Sequence, residues 1–126
     1  MKFILILFFT ISSTFATLTP PNRWRIPMIY NTGISQVEFL TSIKEINQAY
    51  GNDLYRKFGA ELIIFHSWAS PAVNAFADQK DKKFMITIYG GVARFPGMTK
   101  DAFSLVLCHE LGHHLGAEPR KVSNKW

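Results

Sequence analysis

Residues 99–116 read TKDAFSLVLCHELGHHLG. The pattern is that of one amphipathic helix with both ends marked. Thr99 is a residue type that caps helix N-termini, and Asp101 puts a negative charge in the first turn, where it complements the helix dipole. The run that follows is apolar at helical intervals, and Gly116 stands where a C′ glycine ends a helix. On that helix His109, Glu110 and His113 spell H-E-x-x-H. Residues four apart lie on one face, one turn along, so both imidazoles can point at one ion.

Upstream of this helix the chain supplies the rest of a small α+β domain. Ser35 and Glu38 have capping-box spacing, and Phe39, Ile43, Ile46, Tyr50 and Leu54 recur at helical intervals, which predicts a helix over residues 36–57 stopped by Gly59. The apolar, β-branched run at residues 61–65 predicts a buried strand. Residues 72–77 and 84–89 flank the polar DQKDKK, predicting a hairpin with a loop of about six residues. Residues 90–97, GGVARFPG, read as a loop, and residues 19–27, TPPNRWRIP, as a Pro-rich extended lead. The element order is N-terminal helix, strand, hairpin, site-bearing helix.

Composition bounds the function. The chain has 126 residues, so a single domain is the natural expectation, and eleven Phe argue for an apolar core. The net charge of +5 is scattered along the chain with no aromatic-interleaved basic stripe, which argues against nucleic acid as a partner. Lys2, the short apolar run over residues 3–11 and the small residues leading to Ala16 form a signal-peptide pattern with cleavage after Ala16. The mature domain, residues 17–126, is therefore expected to be exported, periplasmic or extracellular, with no stable membrane span after cleavage. Cys108 is the single cysteine and cannot form a disulfide within the chain.

Nitrogen ligands at this spacing suit zinc, and Glu110, about 100° around the helix from His109, is placed to reach a water on the metal rather than the metal itself. Zinc would lower the pKa of that water and polarise a peptide carbonyl, with Glu110 as general base. A chance occurrence of the motif in this composition is about 0.5%. The plainer alternative is a helix that happens to carry two histidines. A catalytic zinc takes three protein ligands. Pro119 stands where an H-E-x-x-H-x-x-G-x-x-H pattern places its last histidine, leaving Glu118 as the nearby candidate. His114 points about 100° away from His113 and reads as a supporting or surface residue, and His66, at the end of the first strand, as structural.

Residues 71–116 resemble the core of the gluzincin metallopeptidases, most closely the HtpX and CAAX-prenyl-protease-like group. The pieces that match are Asn74-Ala75-Phe76-Ala77, the Gly90-Gly91 turn, Asp101, and the run from Val106 to His113. The resemblance implies a zincin-like half domain that hydrolyses protein or peptide substrates with Zn2+. It implies that the strand carrying Asn74 and Ala75 is a sheet edge on which an extended substrate pairs. It also implies a third ligand, a glutamate on a later helix in an E-x-x-A-D setting, which the sequence does not contain. On that reading the domain is incomplete at its C-terminus, and a catalytically inactive zincin-like protein with weak metal binding or an interaction role is the alternative.

Overall fold

A computed structural model of the chain describes residues 23–116. The expected signal peptide and Glu118 lie outside the described residues. Helix α1, Gln36–Phe58, begins at a complete capping box: the Glu38 amide donates to Ser35 Oγ, and the Ser35 amide donates to the Glu38 carboxylate at 2.8 Å. It ends at Gly59, whose φ of 63° is the left-handed conformation that a glycine takes without strain. Its buried apolar stripe is Phe39, Ile43, Ile46 and Leu54; Tyr50, which the sequence spacing placed on the same stripe, is exposed.

Three strands follow: β1, Glu61–Ser67; β2, Ala75–Lys80; and β3, Lys83–Tyr89. The sheet order is β1-β3-β2, with β1 parallel and β2 antiparallel to the central β3. Alternation along β3 buries Phe84, Ile86 and Ile88 against the helices. Phe39 packs between Trp68 and Phe103, with ring centroids 5.3 and 5.2 Å away, tying α1 to the sheet and to the last helix.

The hairpin differs from expectation. Its loop is a two-residue turn, Asp81-Lys82, and not six residues, and β2 starts at Ala75 and continues through Lys80. The residues taken for loop are polar because β2 is an exposed edge strand, so composition hid their strand conformation. Asp81 and Lys82 have φ of 50° and 58°, the doubly left-handed geometry of a type I′ turn. Ala72 lies outside the strand and bridges to Arg25, while the Ile26 amide donates to the Pro71 carbonyl at 2.8 Å. The described part of the extended lead thus docks along the β1–β2 connection.

Residues 90–93 also depart from the loop reading and form a single helical turn, α2, Gly90–Ala93. Side chains are excluded there: a Cβ on Gly90 would overlap the Trp68 carbonyl, and one on Gly91 those of Pro71 and Ala72. Arg94, directly after this turn, is fully buried. Its Nε donates to the Ile26 carbonyl at 2.7 Å, and its two terminal nitrogens to the Trp68 and Ser70 carbonyls at 2.7 and 2.6 Å. The guanidinium also lies 5.0 Å from the Trp68 ring. One cation with a rigid fork of donors thereby joins three segments distant in sequence.

Helix α3, Lys100–His114, closes the domain. It packs against α1, β2 and β3. Among the described residues no helix is long and apolar enough to cross a membrane.

Candidate metal centre

Helix α3 starts and stops as its sequence dictates. Thr99 Oγ1 accepts from the Ala102 amide at 3.1 Å, and Asp101 lies in the first turn. At the other end the Leu115 amide donates to the Gly112 carbonyl at 3.0 Å and Gly116 adopts a φ of 94°. The buried stripe is Phe103, Leu107, Glu110 and Leu111. A carboxylic acid therefore occupies a core-facing position on an otherwise apolar stripe. His109 is exposed and His113 half-buried, so the two imidazoles lie together along one side of the stripe.

The imidazoles converge. Their Nε2 atoms stand 3.2 Å apart, with the rings nearly perpendicular at 86° and their centroids separated by 4.7 Å. Two nitrogens bound to one tetrahedral ion at about 2.1 Å would be about 3.4 Å apart, so the pair is set for a common metal with little movement. Without a metal the same separation is a hydrogen bond in which one Nε2–H donates to the other ring. The Glu110 carboxylate joins the two rings, the ligand atoms of all three lying within 4.8 Å of one another. This group of two nitrogens and a carboxylate could hold a metal ion.

Glu110 is shaped electrostatically by its position. Burial raises its pKa above the ordinary 4.5, and His113 and then His109 pull it back down. The carboxyl is thus a readier proton acceptor than a surface glutamate, held within reach of the imidazole pair.

Among the described residues, His114, His66 and Cys108 are not in this metal-capable group. His114 turns inward as its helical position requires: its Nε2 lies 3.0 Å from the Met85 carbonyl oxygen, and its ring stacks on Phe84 at 4.7 Å and 11°. Burial holds its pKa below 6.5, partly opposed by the Met85 hydrogen bond. His66 lies on β1 with its ring edge-on to Phe39 at 5.9 Å, and it is not in the metal-capable group. Cys108 is partly buried against the core. Ala75 opens β2, opposite Ile88, and the exposed Asn74 precedes it, its carbonyl accepting from the Tyr89 amide at 3.3 Å. β2 lies at the sheet edge and against α3.

Sequence reasoning missed Arg94 because nothing local marks it. Its partners are backbone carbonyls 24 to 68 residues away, and carbonyls have no sequence signature.

Comparison with protein-family models, with curated proteins and with solved structures finds no match to this chain.

Proposed function

We propose that the domain is the core of an exported zinc-dependent peptidase resembling the gluzincins, in which His109 and His113 hold Zn2+ and Glu110 is the general base. The observation that carries this reading is the convergence of the two Nε2 atoms at 3.2 Å beside a buried carboxylate on one helix. Structural histidine pairs have no need of a desolvated acid beside them, and burying that acid costs stability. A site that breaks the apolar pattern of its own helix is where function is expected.

Bound zinc supplies Lewis acidity and lowers the pKa of water near it. The chain's own residues do the rest. Glu110 accepts the proton of the attacking water and returns it to the departing amine nitrogen. Its raised pKa suits the first half of that exchange, since it takes the proton more readily than an ordinary carboxylate. The free edge of β2, preceded by Asn74 and opened by Ala75, offers unpaired backbone groups on which an extended peptide can add as a further strand. Glu118 is the candidate third ligand.

Metal binding measured by equilibrium dialysis tests the ligand set. The full chain should take up one zinc, and His113→Ala and His109→Ala should each weaken binding at least about tenfold. Unchanged uptake in both variants would remove the pair from the site. Export is tested separately by the N-terminus of the protein recovered from its native host, expected at Thr17.

A second reading, metal binding without hydrolysis, is favoured by one observation: among the described residues only Glu110 joins the two imidazoles. If Glu110 is itself a ligand, Glu110→Gln releases the metal. If it is the base, the variant keeps it.

A further inference from the structure

His113 lies in the last turn of α3, which ends at His114. The final carbonyls of a helix have no partners within it, and such turns fray. A ligand placed there is poorly fixed unless something holds the turn. His114 does so. It is adjacent to His113 and about 100° around the helix, so a residue that fixes its own direction also fixes that of its neighbour. Its Nε2 lies 3.0 Å from the Met85 carbonyl oxygen, which can only accept, so the ring nitrogen is the donor. The ring also lies nearly parallel to Phe84, 11° from coplanar. Both partners belong to β3, the central strand, and Phe84 is buried. The anchor thus ties the last turn of the helix to an interior element of the fold.

We propose that His114 is a positioning residue for the metal centre: by clamping the last turn of α3 to β3 it holds His113 facing His109. This inference rests on the metal-site reading above. His114 touches neither metal nor substrate. Its contribution is rotational, keeping the 3.2 Å separation of the imidazole nitrogens as the standing state rather than one of several.

The test is cobalt binding by the full chain, followed through visible absorption, with three variants compared. His114→Gln can place its amide N–H where Nε2–H stands and should bind cobalt nearly as the wild type does. His114→Phe keeps a ring on Phe84 but loses the donor, and should bind about tenfold more weakly. Phe58→Ala, which removes a ring 5.9 Å from Phe84 on its other contact, is the control for lost packing and should leave cobalt affinity unchanged at temperatures where it is folded. His114→Phe binding as tightly as the wild type would overturn the proposal, and so would an equal loss in the Phe58→Ala control. If His114→Phe does not fold, nitrogen NMR of the unaltered protein decides. The His114 ring should show the Nε2–H tautomer before and after metal is added, while His109 and His113 shift on addition. A mobile or Nδ1–H ring at His114 would overturn the proposal. A wild-type chain that binds no cobalt overturns it together with the metal site, whereas a normal wild type with an unaffected His114→Phe removes the positioning role alone.

Discussion

At the scale of single residues, Glu110 and Arg94 are the two buried charged groups among the described residues, and they serve opposite ends. Arg94 donates to three carbonyls and lies over the Trp68 ring face, although burial still pulls its pKa below the ordinary value. Among the described residues the imidazole pair is what offsets the burial of Glu110, and its pKa remains raised. The consequence for stability has a definite sign. In the metal-free protein the folded state holds the Glu110 proton more tightly than the unfolded chain does. Between the ordinary 4.5 and the raised folded value the native state therefore binds more protons, and stability falls as pH rises through that window. Below it the contribution is fully present. Urea midpoints across mildly acidic pH, taken in a chelator, should decline less steeply for Glu110→Gln than for the wild type. Parallel curves would show that Glu110 is not desolvated. The motif His109-Glu110-His113 was legible in the sequence because four-residue spacing on a helix fixes a common face. That Glu110 faces the core was not read from the sequence, although it continues the i, i+3, i+4 stripe that runs from Phe103 through Leu107.

At the scale of elements, both long helices match their sequence signals within a residue or two, because their caps are local: Ser35 with Glu38, Gly59, Thr99 and Gly116 each act on their own backbone. The hairpin was misread because edge strands need not be apolar. Gln79 and Lys80 pair with Phe84 and Lys83 although nothing in their polarity announces it. The turn itself is a strained solution, since Asp81 and Lys82 both hold positive φ, a conformation that disfavours a side chain such as lysine. Replacing the pair with Asn-Gly should stabilise the domain by about 1 kcal/mol, read as a higher urea midpoint with unchanged slope. A fall in midpoint would mean that the Asp81 or Lys82 side chain makes a contact worth more than the backbone strain.

At the scale of the whole molecule, the fold is a three-stranded sheet covered by α1 and α3, with Arg94 drawing the extended lead and the β1–β2 connection onto α2. This last feature was not legible, because Gly90-Gly91 reads as a loop until the carbonyls of residues 68–72 are seen filling the space their side chains would take. Arg94→Met should cost about 3–5 kcal/mol by leaving buried carbonyls without donors, a large fraction of the stability of a domain of this size. Circular dichroism melting checks it, and a loss under about 1 kcal/mol would show that the three hydrogen bonds are dispensable. The same architecture packs α3 against the edge strand β2, the arrangement that the proposed peptidase reading calls for.

The most direct test of the central claim is made on one variant. Glu110→Gln, an isosteric change at the proposed base, should retain zinc at the wild-type stoichiometry while its cleavage of a mixed peptide library falls at least about a hundredfold below that of the wild type. Equal cleavage by the two proteins, or loss of zinc from the variant, would contradict the assignment of Glu110 as the group that moves the proton.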